Sequence, residues 1–298
     1  MISTLTPFLS SHTPLEHLYL NNNGLGPQAG TVVADSLAQL GAKKKEAGAP
    51  TLKTIICGRN RLENGSMEAW AKCYAGNTGV KEVKMVQNGI GKEGVTLLLK
   101  KGLSHVKGLQ VLDLQDNTFT AMGARALSDV VNGWTELQEL GVGDSLLSAR
   151  GGVMLGEALQ KGKNDQLEVL RLQYNDIDFK GLKSLSTAVE HLPKLRRVEL
   201  NGNKFSESDE SLDTIREALT ERREKAGVED EEDENWGIDE LDELEEASDD
   251  EEDEAEAEED DEREKEIEHT KQAEEAIVAL DKDKDVDKLA DLLGKTGL

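Results

Sequence analysis

The sequence predicts an α/β solenoid with parallel strands on the inside and helices on the outside, followed by a disordered acidic tail. Three observations predict it. A motif of the form LxxLxLxxN recurs seven times, apolar residues at helical spacing follow the copies, and most of the formal net charge of −26 is concentrated near the C-terminal end of the 298 residues. A repeat architecture suits this pattern, because each repeat packs only on its neighbours.

The motif begins with LEHLYLNNNGLG at Leu15 and returns at Leu52, Val80, Leu109, Leu137, Leu167 and Leu195. Its ninth position falls at Asn23, Asn60, Asn88, Asn117, Ser145, Asn175 and Asn203, with spacings of 37, 28, 29, 28, 30 and 28 residues. This is the leucine-rich repeat pattern, whose units of about 20–29 residues each contribute one strand and one helix.

The residue types indicate what each motif position does. Leu18 and Leu20 flank Tyr19, so in a strand the two leucines point to the core while Tyr19 faces solvent. The amide of the ninth-position Asn can donate to and accept from backbone groups of neighbouring turns. We therefore expect Asn23 and its counterparts to be buried and structural, with the residue before each on an exposed rim. The rim residues are Asn22, Arg59, Gln87, Asp116, Asp144, Tyr174 and Gly202.

The strand residues predicted to face solvent favour a protein partner over a nucleic acid. They are Tyr19, Ile56, Lys84, Asp113, Gly141, Arg171 and Glu199. They have neither one sign of charge nor a row of aromatic side chains, which argues against a nucleic-acid surface. A polar, rigid rim on a solenoid is typical of protein binding.

Helices are predicted after the strands from apolar residues at helical spacing. These stripes are Val33, Leu37 and Leu40; Val95, Leu98, Leu99 and Leu103; Ala126, Leu127, Val130 and Val131; Met154, Leu155, Ala158 and Leu159; Leu182, Leu185, Val189 and Leu192; Leu212, Ile215 and Leu219. The segment GAKKKEAGAP lengthens the first spacing. We expect Lys43, Lys44 and Lys45 to lie in a solvated loop there, with a contact to an acidic partner as the alternative.

The first 14 residues resemble the second half of a repeat. Leu5, Phe8 and Leu9 are helically spaced, and Pro14 precedes the first motif as Pro50 and Pro193 precede later ones. A solenoid requires a polar cap over its first unit. We therefore expect a chain truncated at its N-terminus, or an incomplete gene model.

Three segments are expected: the solenoid at 1–228, an acidic disordered segment at 229–268 and a possible amphipathic helix at 269–298. Between residues 229 and 268, 27 acidic residues stand against two basic ones. Like charges at this density repel and disfavour folding. Deleting everything after residue 228 is therefore expected to leave the thermal transition nearly unchanged.

Composition argues against several other functions. Cys57 and Cys73 fit buried positions and a reducing, intracellular compartment. No stretch of 18 apolar residues suggests a membrane span. The near-matches to a phosphate loop at Gly294-Lys295-Thr296 and to a calcium loop at Asp281 lack required glycines. We expect no catalytic motif, metal site or cofactor in this chain, which is expected to be a monomer.

Several stretches closely resemble the fungal Ran GTPase-activating proteins, over about residues 1–225. They are LEHLYLNNNGLGPQAG at 15–30, IICGRNRLENGSM at 55–67, KMVQNGI at 84–90, VLDLQDNTFT at 111–120, LLSARG at 146–151, LRLQYN at 170–175 and ELNGNKFSE at 199–207. The likeness extends to the variable rim positions. It implies a cytoplasmic protein that stimulates GTP hydrolysis by Ran and supports nucleocytoplasmic transport, without chemistry of its own.

The resemblance also implies roles for rim residues. GTPases orient the attacking water with a Gln, and many activators add an arginine finger. This family is thought to use an Asn instead, which holds the catalytic Gln of GTP-bound Ran and matches Asn22 here. Arg59, Arg61 and Asp116 match residues that would face Ran, and Gln87 completes the predicted partner-binding set.

Two alternatives belong to other functional classes. One is a non-catalytic scaffold of the same fold that binds Ran or another protein. The other is a binder similar to ribonuclease inhibitor, which ranks last because that family has many more cysteines than two. An assay of GTP hydrolysis by Ran would separate activator from scaffold.

Overall fold

The strands form one parallel sheet that grows by one strand per repeat. The computed structural model of the chain describes residues 2–228 and 233–245. Strands β1 to β8 span His17–Tyr19, Thr54–Ile56, Glu82–Lys84, Val111–Asp113, Glu139–Gly141, Val169–Arg171, Arg197–Glu199 and Gly237–Ile238, and they lie in that order. The equivalent strand positions of successive repeats pair throughout, for example Leu18 with Ile55 and Ile55 with Val83.

Helices return the chain from one strand to the next, as parallel strands require. Helices α1 to α8 span Ile2–Leu9, Gly26–Ala47, Met67–Gly76, Lys92–Leu97, Thr120–Val130, Ser148–Leu159, Phe179–Val189 and Glu210–Ala226. Helix α4 continues through a π-helical turn, Leu98–Gly102, into a 3₁₀ turn, Leu103–His105. The predicted α/β leucine-rich repeat solenoid is confirmed.

The core lies between the sheet and the helices, where the predicted stripes meet the strand leucines. Leu37, Leu98, Leu155 and Leu212 are each fully buried in one continuous apolar cluster. Cys57 and Cys73 are buried and free, as predicted, and burial raises the pKa of each thiol to about 12. No helix within residues 2–228 and 233–245 has the length and apolar character needed to cross a membrane.

The ninth-position asparagines form a ladder of hydrogen bonds. The N–H of Asn60 donates to Oδ1 of Asn88 at 2.9 Å, and Nδ2 of Asn88 donates to the carbonyls of Met85 and Cys57. Asn60, Asn88, Asn175 and Asn203 are completely buried. The structural role predicted for this position is confirmed for these residues.

Asn23 departs from the prediction. Its side chain is exposed, and its Nδ2 donates to the carbonyls of Leu20 and Asn21 within its own turn. Helix α1 precedes this repeat, and within the described residues no strand and turn covers the Asn23 amide. The expectation that Asn23 is buried was wrong.

Helix α2 also departs from the prediction, because it runs through the segment assigned to a loop. It ends at Ala47 and is capped by Gly48, which adopts a left-handed conformation (φ 60°) and donates its N–H to the carbonyls of Lys44 and Lys45. Lys44 is only 3% exposed, and its Nζ donates to the carbonyls of Thr13 and Pro50 at 2.8 and 2.6 Å. Desolvation by burial lowers the pKa of this ammonium group.

Part of the acidic segment is folded. Residues 233–245 add strand β8 to the sheet and place Ile238, Leu241 and Leu244 against the core. The carboxylate of Asp239 accepts from the backbone N–H groups of Leu200 and Asn201 at 2.7 and 3.0 Å. Disorder was therefore the wrong expectation for residues 233–245. The remaining acidic residues at 246–268 and the predicted helix at 269–298 lie outside the described residues.

Candidate functional site

The five predicted site residues come together in one open groove along the rim. Asn22, Arg59, Arg61, Gln87 and Asp116 all line it, and its volume is about 660 Å³. They belong to four successive repeats, so with strands spaced about 4.8 Å apart the groove extends about 14 Å from Asn22 to Asp116. The structure thus brings together every residue assigned to the site.

The rim residues share one backbone conformation. Asn22, Arg59, Gln87, Asp116 and Asp144 have φ values of 60°, 56°, 54°, 55° and 50°, in the left-handed region. Each donates its backbone N–H to the carbonyl one position earlier in the next repeat, as Asn22 does to Gly58 at 2.9 Å and Arg59 to Val86 at 2.9 Å. Backbone bonds between repeats therefore fix the rim residues along the groove.

The left-handed conformation recurs at every rim position of the repeats. Gly adopts it freely, Asn and Asp tolerate it, and other residues lose about 1–2 kcal/mol. Gly202 occupies this position in the last repeat with φ 66°, and Tyr174, outside the groove, has φ 55°. The conformation therefore belongs to the repeat geometry, and the side chains distinguish one rim position from another.

Most positive and negative side chains lie in different parts of the groove. Arg59 and Arg61 stand in the second repeat, with Glu63 beside them, and Asp116 and Asp144 stand in the fourth and fifth. Neither arginine has an ion-pair partner among residues 2–228 and 233–245. On the strands, by contrast, Arg171 pairs with Glu139 at 3.2 Å and Glu199 at 3.4 Å. The two groove arginines are therefore available to a partner.

The groove offers polar and charged groups suited to recognition. It presents guanidinium and amide donors and carboxylate acceptors in an exposed cleft, and its lining includes no His, Cys or Lys. No cluster of potential metal ligands occurs in the described part of the chain. Such a surface can hold and orient groups of another protein.

The groove lining also includes residues outside the five assigned to the site, among them Glu63, Thr118, Asp144 and Leu146. Asp144 was predicted on the rim, at the same motif position as Asn22, but was not assigned to the site. Leu146 has the same motif position as Arg61, so periodicity could have indicated it. Leu146 is 52% exposed and also has a positive φ, 55°, which is uncommon for Leu. Thr118 shares the motif position of Arg61 and Leu146, so periodicity indicates it too. Glu63 lies three residues after Asn60, and only the fold places it in the groove.

Comparison with known proteins agrees with the repeat pattern. The family model described as Leucine Rich repeat matches residues 109–128 and 163–186. These segments contain the fourth and sixth strands and most of helices α5 and α7. The match agrees with the leucine-rich repeat fold of the structure.

Individual relatives add to this leucine-rich repeat assignment. The chain is 38% identical over 219 residues to Ran GTPase-activating protein 1 of Saccharomyces cerevisiae, covering 72% of this chain and 54% of that protein. It is 32% identical over 194 residues to Ran GTPase-activating protein of Drosophila melanogaster, covering 65% and 32%. Ribonuclease inhibitor of Sus scrofa is 25% identical over 204 residues, covering 68% and 43%.

These alignments confirm the resemblance to Ran GTPase-activating proteins. The chain spans about half the length of the yeast protein and a smaller share of the others. The yeast alignment includes 72% of this chain.

Proposed function

We propose that this leucine-rich repeat protein is an activator that stimulates GTP hydrolysis by the small GTPase Ran. The observation that carries the proposal is its 38% identity over 219 residues to a yeast protein named Ran GTPase-activating protein 1. The groove supports it, because the residues matched to that family line one cleft. In this role the protein is a regulator and the GTPase supplies the reaction.

The proposed mechanism assigns separate tasks within the groove. Arg59, Arg61, Gln87 and Asp116 contact GTP-bound Ran and fix its orientation. The amide of Asn22 then holds the catalytic Gln of the GTPase, which orients the attacking water. An amide that both donates and accepts can hold another amide by paired hydrogen bonds. Rate acceleration would follow from this positioning.

A single-turnover assay tests the proposal. Ran loaded with GTP is mixed with the full 298-residue chain, and we expect its hydrolysis rate to rise with the concentration of the chain. No increase over Ran alone would contradict the activator function. We also place this activity in the cytoplasm, in support of nucleocytoplasmic transport, which imaging of the tagged protein would check.

The assignment of Asn22 has a sharper test in Asn22→Gly. Gly keeps the positive φ without strain, so the change removes the amide while preserving the backbone. We expect a rate about 100-fold to 1,000-fold lower at saturation, as for loss of one preorganised donor. Tyr174→Gly is the matched control, since Tyr174 has the same conformation (φ 55°) and lies outside the groove.

Hydrolysis that is unaffected by Asn22→Gly would contradict the catalytic assignment. The second candidate function, a non-catalytic scaffold for Ran or another protein, would then be favoured. The similarity to ribonuclease inhibitor over 204 residues supports that candidate. It predicts a complex with GTP-bound Ran in size-exclusion chromatography without any increase in hydrolysis.

A further inference from the structure

We propose that Asn21 is a positioning residue that holds Asn22 and Arg59 in register across two repeats. This role rests on the function proposed above. Its basis is a side-chain hydrogen bond from the first repeat to the second, at the point where both rim residues leave the sheet. Oδ1 of Asn21 accepts from the backbone N–H of Gly58 at 2.6 Å.

The peptide groups of Gly58 are held by three asparagines. Asn21 accepts its N–H, while its carbonyl accepts from the backbone N–H of Asn22 at 2.9 Å and from Nδ2 of Asn60 at 2.9 Å. Gly58 directly precedes Arg59. One bond therefore links the residue before Asn22 to the residue before Arg59, and movement of either rim residue must strain the other.

The close approach at Gly58 explains why a residue without a side chain stands there. A Cβ at this position would lie 3.1 Å from the carbonyl oxygen of Val86 and 3.2 Å from Oδ1 of Asn21. Both contacts are tighter than ordinary van der Waals separations. The lack of a Cβ at Gly58 thus leaves room for the Asn21 side chain.

Among the described residues, the five repeats that follow do not form this bond. At the corresponding position, Gly58, Val86 and Gly143 have no hydrogen-bonding side chain. In the last repeat, Oδ1 of Asn201 accepts from the backbone N–H of Glu243 at 3.0 Å. Gln173 donates to Gln115 at 2.7 Å, so these two side chains bond each other across the sheet face. The link to the next repeat's backbone stands next to Asn22, where orientation of an amide matters most for the proposed mechanism.

The expected consequence is on the rate at saturation. Asn21 is exposed and touches the groove only through the backbone, so it contributes to orientation rather than to contact area. A catalytic group that moves by about 1 Å can cost about 100-fold in rate. We therefore expect Asn21→Ala to lower the maximal rate of GTP hydrolysis by Ran by about 10-fold to 100-fold.

Two further variants separate positioning from general structure. Asn21→Asp keeps the acceptor oxygen and should restore the rate. Asn64→Ala is the matched control, because Oδ1 of Asn64 likewise accepts from a backbone N–H of the next repeat, that of Gly91, at 2.7 Å. Asn64 is exposed and does not line the groove, so its loss should leave hydrolysis unchanged.

The experiment measures the maximal rate, the concentration of the chain giving half of it, and hydrogen exchange of the Gly58 amide by NMR. Asn21→Ala should speed that exchange and lower the maximal rate, while the half-maximal concentration stays within about threefold. An unchanged maximal rate, or failure of Asn21→Asp to restore it, would overturn the positioning role. A wild-type chain that does not stimulate Ran would instead overturn the proposed function, and this role with it, whatever the Gly58 exchange shows.

Discussion

Asn22 and Asn23 are adjacent residues of the same type that the repeat places in different settings. Asn22 has φ 60° and an exposed side chain in the groove, whereas Asn23 turns back to bond its own loop. Asn60 occupies the same motif position as Asn23 in the next repeat and is completely buried. Position within the motif, rather than residue type, decides which asparagines can meet a partner.

Asn60→Ala should be strongly destabilising. The Asn60 amide accepts from the N–H of Asn23 and donates to the carbonyls of Leu20 and Gly58 at 2.8 and 2.9 Å. Removing it leaves the N–H of Asn23 without its acceptor, while the two carbonyls keep their bonds from Nδ2 of Asn23 and the N–H of Asn22. One unpaired group costs about 1–3 kcal/mol. We expect a lower free energy of unfolding by chemical denaturation, measured on the full chain.

Asn23→Ala is the control for that experiment. The same residue type is lost at the same motif position, but Asn23 is exposed and water can replace its bonds. Its effect should be smaller than that of Asn60→Ala. Equal losses would contradict the argument that burial, and not the motif alone, sets the cost.

Sequence periodicity could predict the rim because a motif position repeats with the same geometry. Asn22, Gln87 and Asp116 each precede a ninth-position Asn, and all three line the groove. Periodicity could not predict the exposure of Asn23, since burial depends on what covers it. Nor could it predict the bond from Asn21 to Gly58, which depends on one side chain and one glycine in neighbouring repeats.

Helix α2 shows the same distinction at the level of an element. The three consecutive lysines at 43–45 predicted a solvent-exposed loop. The side chains of Lys43 and Lys45 are exposed. The third reaches carbonyls 31 residues before it and 6 after it. Apolar periodicity could not predict this contact, because that pattern assigns buried positions to apolar residues and Lys44 is charged.

Lys44→Met should destabilise the end of helix α2 and the turn before the first strand. Met has a similar length and no donor, so the carbonyls of Thr13 and Pro50 would lose the ammonium that bonds both. Thr13 is half-buried and Pro50 is exposed, so water can reach their carbonyls. We therefore expect the free energy of unfolding to fall by about 1–3 kcal/mol in total. Thermal and denaturant unfolding would measure it.

Lys45→Met provides the comparison within the same helix turn. Lys45 is exposed, so the change should shift stability by no more than about 0.5 kcal/mol. A comparable loss from both variants would show that the Lys44 bonds contribute little and that helix propensity or surface charge dominates.

At the scale of the whole molecule, the acidic composition near the C-terminal end did not predict the folded end of the sheet. Residues 233–245 lie in a strongly acidic stretch, yet Ile238, Leu241 and Leu244 cover the last repeat. Their acidic neighbours contribute directly, since Asp239 accepts two backbone N–H groups and Asp242 accepts from Asn201. The net charge of the whole stretch did not indicate that three apolar residues within it are spaced so that they contact the last repeat.

Two truncations test this end of the solenoid. Ending the chain after residue 228 removes strand β8, leaves the edge of β7 unpaired and exposes the surface beneath Ile238, Leu241 and Leu244. Loss of that apolar burial should lower the free energy of unfolding by roughly 2–4 kcal/mol. Ending it after residue 245 keeps all of these contacts while removing much of the acidic sequence, so stability should stay near that of the full chain. Denaturant unfolding of the three proteins at matched ionic strength makes the comparison. If both truncations unfold like the full chain, the contacts of residues 233–245 do not stabilise the repeats, and the acidic segment is dispensable as a whole.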